Sequence, residues 1–197
     1  MISAWRPLSG FRQSLVMKLV RTTTLLGVLG LLFLLSASSL AQDLPLFEQL
    51  KGHAGKAYAG KMTFPDNKPN DPMNKPMRIE VIKISDNHIR IPLRVGDDNS
   101  RVWMLTRIDD SILLKHDHRA KDGTPDDLTN YGGVDAHQLL GRQLIFPADA
   151  ETAALLPEAK TNVWSLRLSP DGKVLYYYLE RDGQPRFEAT FDLTKKL

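Results

Sequence analysis

The sequence predicts an all-β domain, an antiparallel up-and-down barrel of about eight to ten strands with a short N-terminal helix closing one end. Three observations predict it. Apolar and polar residues alternate with period two through most of residues 56–193, short turn signals separate the alternating runs, and no long helical pattern interrupts them. Closing such a meander removes the unpaired edges that an open sheet would expose.

Taken in order, Pro45 to Gly52 reads as the helix, with Leu46, Phe47 and Leu50 at helical spacing and Gly52 as its stop. Lys56 to Phe64 and Met77 to Ile84 are the first two strands. In His88 to Val95, Ile89, Ile91, Leu93 and Val95 share one face, and His88, Arg90 and Arg94 take the other. Arg101 to Ile108, Ile112 to Arg119, Arg142 to Phe146, Asn162 to Leu168 and Val174 to Arg181 continue the series. Last, Phe187, Ala189, Phe191 and Leu193 oppose Arg186, Glu188, Thr190 and Asp192. Asp86-Asn87, Gly96-Asp97-Asp98-Asn99, Asp109-Asp110, Pro170-Asp171-Gly172 and Asp182-Gly183 are the turns. Three connections are longer. Residues 66–75 and 120–136 read as loops, and residues 148–159 can hold one or two helical turns before Pro157.

Ahead of this domain, Met17 to Ala41 carries an export signal: Lys18 and Arg21 form a basic start, Leu25 to Leu35 an apolar run, and Ser39-Leu40-Ala41 a small-residue cleavage site. The apolar run is about half the ~20 residues that span a bilayer, so a cleaved signal is expected rather than an anchor. Lipidation is excluded because it needs a cysteine after the cleavage point, and the chain has none. Residues 1–16 precede a complete signal, which makes Met17 an alternative start. The expected mature chain is therefore residues 42–197, one domain, periplasmic or secreted, with no membrane attachment after cleavage.

Cleavage changes the charge balance. Arg6, Arg12, Lys18 and Arg21 leave and no acidic residue does, so 26 basic against 23 acidic becomes 22 against 23. A near-neutral chain gives no electrostatic footprint for nucleic acid or a membrane surface. Zero cysteines exclude disulfides, thiol catalysis and covalent c-type haem, so the domain folds on its core alone.

A short helix followed by Gly55-Lys56-Ala57-Tyr58-Ala59-Gly60 and a run of antiparallel strands resembles the calycin group, the lipocalin-like barrels that carry small apolar ligands. Tyr58 stands where that group carries a tryptophan. The resemblance implies a barrel with an internal cavity and a small, partly apolar ligand held without catalysis. A barrel filled by its own side chains, serving structure or protein interaction, is the competing expectation.

For the site, His116 and His118 lie two apart on one strand and so share a face with Ile112 and Leu114, toward the barrel interior. Two such imidazoles can ligate a transition ion, with His137 as the third ligand, or one of Asp126, Asp127 and Asp135. Such a centre with an open position would support hydrolysis. The plainer reading has both histidines hydrogen-bonded to those carboxylates. Tyr131-Gly132-Gly133 allows either close backbone approach to a ligand, with Tyr131 stacking or donating, or a bend at the barrel mouth. The candidate ligand-binding residues are Tyr58, His116, His118, Arg119 and Tyr131; the candidate metal ligands are His116, His118 and His137. No cofactor is implied. Residues 122–127, DGTPDD, satisfy turn chemistry rather than the spacing of a calcium loop. Arg90, Arg94, Arg101 and Arg107 could clamp an anion or form a solvated outer face. Serine-nucleophile, P-loop and dinucleotide motifs are absent.

Overall fold

The computed structural model describes residues 45–64, 74–135 and 141–197. The expected export signal at residues 17–41, most of the 66–75 connection and His137 lie outside the described residues.

Helix α1 (Leu46–Lys51) begins after Pro45 and ends at Gly52, burying Leu46, Phe47 and Leu50. Ten strands follow: β1 (Lys56–Phe64), β2 (Met77–Ser85), β3 (His88–Val95), β4 (Asp98–Ile108), β5 (Ser111–His118), β6 (Tyr131–Asp135), β7 (Gln143–Pro147), β8 (Val163–Leu168), β9 (Val174–Arg181) and β10 (Gln184–Lys196). Between β7 and β8 stand helix α2 (Ala150–Leu155) and a 3-10 turn, Pro157–Ala159. All ten strands join one antiparallel sheet in the order β6-β5-β4-β3-β2-β1-β10-β9-β8-β7. Every ladder joins strands adjacent in sequence except β1–β10, which brings the first and last strands together. The result is a nearly closed barrel.

Period-two burial produces the core. Ile89, Ile91, Leu93 and Val95 of β3 are all buried, and they join Trp103, Leu105, Ile112, Leu114, Trp164, Leu175, Tyr177 and Phe191 in one cluster. Register is set at the turns. Asp182 and Gly183 both take positive φ, 53° and 67°, which matches a two-residue hairpin to the twist of β9 and β10. Gly96, at φ 57°, turns the chain with Asp97, so β4 begins at Asp98, three residues before the alternation becomes visible.

β6 is a correction to the long loop expected over residues 120–136. Five residues with two glycines carry little strand propensity, yet Tyr131 to Asp135 pair with β5 from Ile112 to His116. The glycines are needed there for space. A Cβ on Gly132 would lie 1.9 Å from the Leu114 carbonyl oxygen, and one on Gly133 1.8 Å from that of Pro147. The first contact packs β6 on β5, and the second brings β6 against β7 at the seam where the barrel has no ladder. Isolated hydrogen bonds close the seam instead: Thr152 Oγ1 accepts from the Gly132 amide at 2.7 Å and donates to its carbonyl at 2.8 Å, and the Asp149 amide donates to the same carbonyl at 3.0 Å. Asp135 Oδ1 accepts from the Ile145 amide at 3.2 Å.

α1 and the 3-10 turn mark opposite ends of the barrel. At one end Arg107 of β4 pairs with Glu48 and covers the Phe47 ring at 5.0 Å. At the other, Arg101 of the same strand lies beside a cavity.

Candidate functional site

The cavity has a volume of about 400 Å³ and opens between the 3-10 turn, the loop after β5 and the ends of β3, β4, β9 and β10. Its inner wall is aromatic. Trp103 stacks on Tyr177 with centroids 4.3 Å apart, and Tyr131 stacks on His116 at 4.8 Å. Trp164 lies 5.1 Å from His116 and 5.8 Å from Tyr131, while Phe187 meets Tyr177 edge-on at 6.1 Å. Nearer the mouth are Arg101, His118, Arg181, Asn162 and the exposed Asp126 and Glu158.

Strand register accounts for this grouping. Trp103 faces His116 and Arg101 faces His118 across the β4–β5 ladder, and Tyr131 pairs with His116 across β5–β6. Cross-strand partners share a face, so one band of interior positions delivers all five side chains.

His116 is fully engaged. Its Nδ1 donates to the Tyr131 carbonyl at 3.2 Å, because a carbonyl can only accept, and its Nε2 therefore accepts from the Tyr177 hydroxyl at 2.8 Å. Burial pushes its pKa down to about 3, with the Tyr131 carbonyl offsetting part of that and His118 adding to it. Burial likewise raises the Tyr177 phenol well above its ordinary value. The pair is neutral at any physiological pH.

His118 is half-buried, and Tyr131 Oη lies 2.9 Å from its Nε2. Burial lowers its pKa and Arg101 lowers it further, outweighing the opposing pull of Asp126, Asp98 and Asp117. The plainer sequence expectation placed carboxylates on both histidines. Phenols and a backbone carbonyl hold them instead, since interior positions of neighbouring strands supply aromatic groups while the loop carboxylates serve their own turns. Asp122 accepts from the Thr124 amide at 3.0 Å and Asp126 from the Leu128 amide at 3.1 Å.

Of the five candidate ligand-binding residues, the structure brings His116, His118 and Tyr131 together on the cavity wall. Tyr58 is buried away from it and hydrogen-bonds His53 Nδ1 at 2.6 Å. Arg119 turns outward, where its Nε and Arg90 Nη2 bind the buried Asp117 at 2.9 and 3.0 Å. Among the candidate metal ligands, His137 lies outside the described residues. Among the described residues no group of three or more histidines and carboxylates is placed to hold a metal ion, and ligation by His116 would cost it one of its two hydrogen bonds.

Of the four arginines considered as an anion clamp, Arg101 alone reaches the cavity; Arg90 serves Asp117, Arg107 serves Glu48, and Arg94 is exposed. Trp103, Trp164, Tyr177, Phe187 and Arg181 complete the site and are not among the binding candidates read from the sequence. The signal was present in their phase: Tyr177 alternates with Leu175 and Leu179, and Trp103 with Leu105. Interior phase alone does not separate a core residue from one lining a cavity. No protein-family model matches the chain, and no curated protein matches it by sequence.

Proposed function

We propose that this is an exported binding protein that holds one small, partly apolar molecule in the barrel mouth without converting it. The observation that carries the reading is the aromatic-walled cavity of about 400 Å³, a volume in the range of small-molecule sites, with a few polar groups confined to its entrance. Rings bury apolar ligand surface, and the entrance groups orient the ligand. A lipocalin-like barrel, which the nearly closed antiparallel sheet is compatible with, is a framework on which such a cavity is a natural site.

The interior chemistry favours holding over catalysis. His116 has no free nitrogen to act as base, its pKa lies far below neutrality, and the hydroxyl beside it belongs to a phenol held protonated by burial. A side-chain-filled barrel would leave no such opening at the β4–β5 end.

Native mass spectrometry on protein purified from its own host tests the reading. A copurifying small molecule, released when the protein is denatured and lost on Trp103→Ala, is the expected result. Protein that always flies ligand-free, with unchanged thermal stability in the presence of a broad metabolite extract, would overturn it.

A further inference from the structure

The cavity's charge distribution says which sign of ligand it takes. Arg101 and Arg181 are half-buried at its entrance, whereas the two carboxylates of the rim, Asp126 and Glu158, are exposed. Charges sheltered from water act more strongly on a bound group than charges in it, so the arginines dominate the potential inside. Burial raises the phenols of Tyr131 and Tyr177, and the Arg101 guanidinium is the ionised side chain that pulls them back. Arg101 and Arg181 are thus the ionised side chains most sheltered from water at the cavity.

The donors are also arranged for an oxygen ligand. Arg101 gives one amino group to Asp98 and keeps the rest of its fork, and Arg181 gives its Nε to Asn162 Oδ1 at 2.7 Å. Asn162 is neutral, which leaves the Arg181 charge without a carboxylate partner among the described residues. His118 faces Arg101 across the ladder. Tyr131 Oη lies 2.9 Å from the His118 Nε2, and in the tautomer where that hydroxyl donates, Nδ1 carries the proton and can donate to a bound oxygen. One uncompensated positive charge suits a monoanion. A dianion would leave a net negative charge at a half-buried site.

Resting on the binding function proposed above, we propose that the ligand is an amphiphilic organic monocarboxylate. Its apolar body lies inward against Trp103, Trp164, Tyr177 and Phe187. Its carboxylate sits at the entrance between Arg101, Arg181 and His118 Nδ1.

The tryptophans make the test direct. The chain has three; Trp5 precedes the proposed cleavage site, and the two of residues 42–197, Trp103 and Trp164, both line the cavity. Tryptophan emission is titrated with decanoate, decanol and decyltrimethylammonium, which share a chain and differ in headgroup charge. Decanoate is expected to bind about tenfold or more tightly than decanol, and the cation most weakly. Arg181→Gln and, separately, Arg101→Gln should remove that advantage by weakening decanoate about tenfold more than decanol, with an unchanged circular dichroism spectrum reporting that each variant is folded. Equal affinity for decanoate and decanol, or preference for the cation, would overturn the carboxylate assignment and leave the binding function standing. No emission change with any of the three would overturn both.

Discussion

At the scale of single residues, His116 ties the architecture to pH. Its folded pKa of about 3 lies below the 6.5 of an accessible histidine, so the unfolded chain takes up a proton that the folded chain refuses. The stabilisation from keeping it neutral is fully present above pH 6.5 and is lost as pH falls from 6.5 toward 3. The loss grows as pH falls through that window. Urea unfolding measured from pH 7 to pH 3.5 should therefore show a steeper acid loss in the wild type than in His116→Gln, whose amide cannot titrate. Parallel curves would mean that the imidazole is not held neutral by the folded barrel. Nothing in the His-x-His spacing announces this, because the spacing fixes which way the ring points and not what meets it there.

At the scale of elements, the seam between β6 and β7 is the barrel's unusual feature. An ordinary strand pair is held by a repeating ladder, but here one threonine side chain serves both the amide and the carbonyl of Gly132. Thr152 is fully buried, and the fold of α2 holds it in place: Asp149 caps the helix by accepting from the Thr152 amide at 2.8 Å, and Lys115 of β5 pairs with the same carboxylate at 2.8 Å. Thr152→Val keeps the shape and strands a buried amide, at an expected cost of about 1–3 kcal/mol. The loss should appear as a lower urea midpoint, together with faster hydrogen exchange at Gly132; exchange unchanged at Gly132 would show that the seam is held by other contacts. The seam also explains why β6 was not legible. Its glycines are selected by the approach of Leu114 and Pro147 carbonyls, which are distant in sequence, and strand propensity records only local preference.

On the scale of the whole molecule, the described barrel and the expected export signal make separate contributions. Among the described residues no helix is long and apolar enough to cross a membrane. We propose export by cleavage after Ala41, with expected product mass corresponding to residues 42–197 in the extracytoplasmic fraction. A cell-associated form retaining residues 17–41 would contradict it. The sequence by itself determined the all-β class, the helix at the start, nine of the ten strands and the interior phase of His116 and His118, because each depends on alternation or turn chemistry within about ten neighbouring residues. Tertiary structure alone decided the sixth strand, the unladdered β6–β7 seam, the partners of the two histidines and the meeting of Arg101 and Arg181 at the cavity. Those depend on which side chains face one another across ladders: Tyr177 reaches His116 over 61 positions of chain, and no local pattern encodes so distant a meeting.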